Sequence, residues 1–305
     1  MKVDRKEKGN LIKKRRSKGS NKTKKSRKRV AKKKVALYLV YCLGMLLFAY
    51  PFASNCYYKR LQGQVSKEYD QQIARKSPQE LSAIKQGIRA HNSSLYDQEA
   101  QLTGPFIEVN QNYTKKEQGL LGDVLALLDI PKLRIKLPVY QGTREFQLQQ
   151  GVGLLEGSSV PFGGENSHSV ITGHRGLPSA KLFTDLPNLA IKDQFYLKII
   201  DEIHAYEVDQ IKVVEPEEIS ELKIVAGQDY VTLLTCTPYM LNTHRLLVRG
   251  HRIPYEAESR ATQTTLANHH YWQEVTVYAV IFLLMLWWIM MRNYLKKREV
   301  KNHVA

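Results

Sequence analysis

Apolar positions along the chain fall into three regimes. Two unbroken runs, Val35 to Ala53 and Val275 to Met291, hold no charged side chain over 19 and 17 residues. A helix rises ~1.5 Å per residue, so each run comes close to crossing a hydrocarbon core of about 30 Å and predicts a transmembrane helix. Tyr50, Tyr57 and Tyr58 flank the first run, and Trp272, Trp287, Trp288 and Tyr294 mark the second, as interfacial aromatics do. The second regime, from Lys67 to His91, is polar but carries Ile73, Leu81, Ile84 and Ile88 at near-helical spacing. Ser77-Pro78 interrupts it, which predicts two helices rather than one.

From Gly122 the period shortens towards two. Strands are predicted over Asp123 to Ile130, Leu133 to Tyr140, Ser167 to Thr172, Gln194 to Ile200, His204 to Val214, Asp229 to Thr235 and Arg245 to Ile253. Glycine and proline punctuate them, at Gly151, Gly153, Gly157, Pro161, Gly173, Gly176, Pro216 and Pro238 among others. Seven short strands of this kind predict a mainly β antiparallel sandwich or barrel. There is no internal repeat.

Charge changes this picture in one respect. The formal net charge is +17, but residues 1–34 hold 18 Lys and Arg against two acids, and residues 292–305 hold five against one. The 257 residues between are slightly acidic, at −3. Basic segments resist translocation, so both tails are expected in the cytoplasm and residues 54–274 outside the membrane. No aromatic interleaves the basic blocks, which argues against nucleic acid as a partner and for a solvated anchor beside anionic lipid. The first run has no short apolar segment followed by an A-x-A site, so it reads as an anchor rather than a cleaved signal.

The three cysteines, Cys42, Cys56 and Cys236, give no disulfide framework. No Cys/His spacing suits zinc, so neither a metal nor another cofactor is expected. Cys236 is the chemically interesting thiol. It ends the β-prone run Val231-Thr232-Leu233-Leu234-Thr235 and precedes Thr237-Pro238-Tyr239, which puts it at the mouth of a sheet. His174, between Gly173 and Arg175-Gly176, and Arg245, in Asn242-Thr243-His244-Arg245-Leu246, are candidate partners. A thiol with a distant histidine is the pattern of a cysteine nucleophile and its proton partner. His168, His244 and His251 read as surface or structural residues, and Arg175, Arg249 and Arg252 compete with Arg245 for the cationic role.

The segments Thr232-Leu233-Leu234-Thr235-Cys236-Thr237-Pro238-Tyr239, Asn242 to Gly250, Ile130-Pro131-Lys132-Leu133, Leu137 to Thr143 and Val170 to Pro178 resemble the sortases, specifically the class C, pilus-assembling group. The resemblance runs from about Ile130 to Tyr255. It implies an eight-stranded antiparallel β-barrel and cysteine transpeptidation on LPXTG-like sorting signals. By position it makes Cys236 the nucleophile, His174 the proton carrier and Arg245 the group facing the oxyanion. It also implies a lid, for which Gly104-Pro105-Phe106 stands in the expected place: Phe106 matches the usual aromatic, while Gly104 stands where an aspartate is expected. The implied partners are pilin subunits, a lysine amine of a second pilin as acceptor, and the lipid bilayer.

The expected organisation is therefore a basic cytoplasmic tail (1–34), a transmembrane helix (35–53), a helical region with lid (54–118), the catalytic barrel (119–256), a linker (257–274), a second transmembrane helix (275–291) and a second basic tail (292–305). The leading functional expectation is a two-pass membrane protein whose external domain polymerises pilins. A housekeeping sortase that attaches proteins to peptidoglycan is the alternative within the family. A catalytically idle assembly or adhesion factor is the alternative outside enzymology.

Overall fold

The computed structural model describes residues 39, 40, 42–44, 46, 47, 50, 53–97 and 124–302. It divides into two compact units, Met1–Cys56 and Tyr57–Ala305. In the first, the described residues are helical, and Leu39, Val40, Leu43, Leu46, Leu47 and Tyr50 are exposed.

The second unit opens with helical residues 57–74 (α1) and Pro78–Asp97 (α2). The break falls at Ser77-Pro78 as expected. Ser77 and Glu80 cap α2 reciprocally: Ser77 Oγ accepts from Glu80 N at 3.2 Å, and Glu80 Oε2 accepts from Ser77 N at 2.7 Å. Ile73, Ile84 and Ile88 are buried, and Leu81 packs against the same core. Asn92 of α2 ties down the loop before β4, donating to Val160 O at 3.0 Å and accepting from Val160 N at 2.9 Å.

Eight strands follow: β1 (Val124–Ile130), β2 (Ile135–Gln141), β3 (Val152–Leu154), β4 (Ser167–Thr172), β5 (Gln194–Ile199), β6 (Glu202–Val214), β7 (Asp229–Thr237) and β8 (His244–Ile253), with the short helix α3 (Glu145–Leu148) between β2 and β3. They close into a barrel in the order β1-β2-β3-β4-β7-β8-β6-β5. The barrel is not wholly antiparallel: β2 with β3 and β4 with β7 run parallel. Parallel neighbours need a crossover rather than a hairpin, and here α3 supplies one and the β5–β6 excursion the other. Alternation divides β7 and β8 between two cores. Val231, Leu233, Leu246 and Val248 join the large core, while Leu234 and Leu247 join a smaller one with Leu155, Val170 and Leu222.

The two flanking transmembrane helices are corrected by the structure. Among the described residues, no helix is long and apolar enough to cross a membrane. The second apolar run is not a separate span: it is the distal part of one 46-residue helix, α4 (Ala257–Asn302), whose first turns are polar. Those turns dock on the barrel through Arg260 on Asp129, Gln263 on Gln194 (2.7 Å) and Asn268 on Arg134 (3.0 Å). About half of the first run falls outside the described residues, and the expected lid at Gly104, Pro105 and Phe106 lies wholly outside them.

Tyr69 makes a buried polar contact between α1 and the barrel. Its buried hydroxyl donates to Leu125 O at 3.0 Å and accepts from Ile200 N at 2.7 Å. Tyr69→Phe strands a buried amide and a carbonyl together, so it should lower the unfolding free energy by about 1–3 kcal/mol in urea denaturation. An unchanged midpoint would mean that water replaces the hydroxyl.

Candidate active site

Cys236 and Arg245 are directly opposed across β7 and β8. Opposed residues of an antiparallel pair point to one face. Alternation from Leu234 and Leu247 puts Cys236 and Arg245 on the face of the smaller core, where Val214 and Ile219 also pack. Cys236 is half-buried and reduced, and Arg245 is only 7% exposed. Arg245 Nη1 donates to the carbonyls of Asn242 and His244, both at 3.0 Å, which fixes the guanidinium at the root of the β7–β8 turn. Burial pulls its pKa below the ordinary arginine value, and the charges of Cys236 and Glu217 act in the opposite direction.

His174 arrives on the same side by another route. β4 lies parallel to β7, with Thr172 beside Leu234. Beyond it, Gly173 N donates to Leu234 O at 3.1 Å and Thr235 Oγ1 donates to Gly173 O at 2.7 Å. The turn carrying His174 is thus tied to the cysteine strand one residue before each reactive side chain. Gly173 is required by close approach: a Cβ there would sit 2.8 Å from Val152 and 2.9 Å from the Phe183 ring. His174 Nε2 lies 3.2 Å from Glu145 Oε2 on α3. The Glu145 carboxyl is held below the usual range by a hydrogen bond from Gln149, then by His174.

The competing arginines separate clearly. Arg249 makes a two-pronged contact with Asp209, each bond 3.0 Å, and Arg252 lies by Tyr206, His204 and Asp229 at the other end of the strands. Arg175 alone among them reaches the cysteine turn. His244 pairs with Glu215 at 3.2 Å, away from the thiol role. The structure therefore brings Cys236, Arg245 and the His174 turn together, and adds Glu145, Thr235 and Arg175 around them. Among the described residues no cluster of metal-ligating side chains occurs.

Residues 128–253 match the sortase domain. The solved sortase C-1 of Streptococcus pneumoniae is 46% identical, with a TM-score of 0.59, over 63% of this chain and 100% of that one. The chain belongs to the sortase family. A pilus-related sortase C of Group B Streptococcus is 41% identical, with a TM-score of 0.58, over 62% of this sortase and 97% of that chain. Sortase D of Bacillus subtilis (strain 168) is 27% identical over 185 residues, covering 59% of this sortase and 80% of its own length. Membership makes this protein a cysteine transpeptidase acting on sorting signals.

A buried histidine underlies the site of this sortase. His168 Nδ1 is 2.9 Å from Lys223 O and its Nε2 is 2.8 Å from Thr232 Oγ1, on the face that carries Cys236. Lys223 O only accepts, so Nδ1 carries a proton and Nε2 is free to accept from the threonine. Burial pushes its pKa down from 6.5 to about 4. The folded state thus binds this proton less readily than the unfolded chain. The stability it preserves is full above about pH 6.5 and is lost as pH falls towards 4, on the order of 3 kcal/mol. Thermal melts from pH 7 to 4.5 should show that slope, and His168→Gln should flatten it.

Proposed function

We propose that this sortase polymerises pilins, with Cys236, His174 and Arg245 as its reacting set. The Cys236 thiolate attacks the Thr–Gly carbonyl of an LPXTG-like sorting signal. A tetrahedral oxyanion forms facing Arg245, whose fixed guanidinium is a preorganised donor for it. The C–N bond then breaks, His174 protonates the departing glycine amine, and the threonine remains as a thioester on sulfur. A lysine amine of a second pilin attacks the thioester and gives its proton to His174. The new isopeptide bond forms as the thiolate departs.

The observation that carries this reading is the β7–β8 register, which sets the thiol opposite a buried guanidinium while the β4–β7 pairing delivers the histidine. The pilus role is supported by the high identity to pilus-related sortase C structures. We place the catalytic domain on the outer side of the cell membrane, where pilins carrying sorting signals and lysine acceptors meet.

Incubation of the protein with a pilin subunit should give an SDS-stable ladder that Cys236→Ala abolishes. His174→Ala should slow its growth by about 10²–10⁴-fold, and Arg245→Ala by about 10²–10³-fold. A ladder absent with pilin, but product formed with a peptidoglycan-derived amine, would reassign the enzyme to cell-wall anchoring.

A further inference from the structure

One guanidinium at this site has no task in the reaction above. Arg175 follows His174 and reaches across to the residue after the nucleophile, where its Nη1 donates to Thr237 Oγ1 at 2.9 Å. Its guanidinium carbon lies 5.8 Å from the Tyr239 ring centroid. The Tyr239 ring itself closes over Gly176, which has φ +86° and where a Cβ would stand 2.9 Å from the ring. Arg175 is thereby held between the histidine turn and the cysteine turn. Among the described residues it has no carboxylate partner, unlike Arg249 and Arg260. Its Nε–H is buried and meets no acceptor among the described residues.

A buried donor without an acceptor costs about 1–3 kcal/mol. Native proteins keep such groups rarely, and functional sites are one place where they persist. Here the orphan belongs to a residue adjacent to His174 and bonded to the neighbour of Cys236. A peptide laid in for attack at Cys236 has to pass both turns. What every peptide presents there, whatever its side chains, is a row of carbonyl oxygens.

We infer that Arg175 is a substrate-binding residue of this sortase, distinct from Arg245. Its half-buried guanidinium fork takes a backbone carbonyl oxygen of the sorting peptide beside Cys236, while Nη1 on Thr237 sets the direction of the fork. This contact is made in the ground state as well as the transition state, so it acts on peptide binding more than on the chemical step. Lysine is no substitute, because it keeps the charge but lacks the planar fork that bonds Thr237 and the peptide together. The inference rests on the transpeptidase reading of the site.

The test is steady-state hydrolysis of a sorting peptide by the full chain, using a set of peptides with one backbone amide replaced by an ester at each position. An ester carbonyl is a weaker acceptor. In the wild type, one position should raise KM by roughly 3–10-fold, and in Arg175→Lys and Arg175→Gln that position should be silent, as coupled groups in a double-mutant cycle are. Both variants should raise KM for the all-amide peptide by roughly tenfold or more, with kcat within about threefold. Ester effects that persist unchanged in the variants would overturn the inference, as would a fall in kcat at constant KM. Wild-type turnover that survives Cys236→Ala would defeat the transpeptidase reading itself, whereas normal Cys236-dependent turnover with no coupling defeats only the role of Arg175.

Discussion

The pairing of β7 with β8 is the constraint on which the site depends. Cys236 faces Arg245 because Val231 faces Gly250 and Leu233 faces Val248 further down the same ladder. Gly250 is part of that specification, since a Cβ there would lie 2.7 Å from the Phe195 ring. A slip of one residue would move Leu234 and Leu247 out of the smaller core and turn the thiol to the opposite face. Apolar burial on two faces thus aligns a nucleophile with a guanidinium on the face of the smaller core.

A second pairing has to agree with the first. The parallel contact of β4 with β7 sets Gly173 against Leu234 and Thr235, and so places His174. Polar groups beneath it are satisfied internally. His168 bridges Lys223 and Thr232, and the Ser158 and Ser159 hydroxyls accept from the amides of Val170 and His168. Such a buried polar set is costly to rearrange once a partner is lost. It holds still the strands from which the reactive side chains project, while those side chains sit at strand ends nearer solvent.

Much of this was legible in the sequence. The strands later numbered β1, β2 and β4 to β8 announce themselves by alternation, and the Cys236, His174 and Arg245 contexts carried the family resemblance. What escaped detection has physical reasons. β3 is three buried residues around Gly153, and glycines there read as punctuation. Their actual role is close approach: a Cβ at Gly153 would sit 2.2 Å from Gly142 O, and one at Gly151 2.5 Å from Pro138 O. Glu145 lies on a four-residue helix too short to show a period, so its contact with His174 had no sequence signal. The parallel pairings depend on connections rather than on strand composition. The apolar run at 275–291 shows the opposite failure: composition alone suggested an independent span, whereas those residues continue a helix that begins with polar turns docked on the barrel.

The central claim is that the thiol at the end of β7 becomes the acyl carrier. Intact-mass and peptide-level mass spectrometry of the protein mixed with a sorting peptide and quenched in acid tests it most directly. The account predicts an adduct with the mass of the peptide up to its threonine, located on Cys236, sensitive to hydroxylamine and absent from Cys236→Ala. Peptide cleavage without any adduct on Cys236, or an adduct on Cys42 or Cys56 instead, would contradict it.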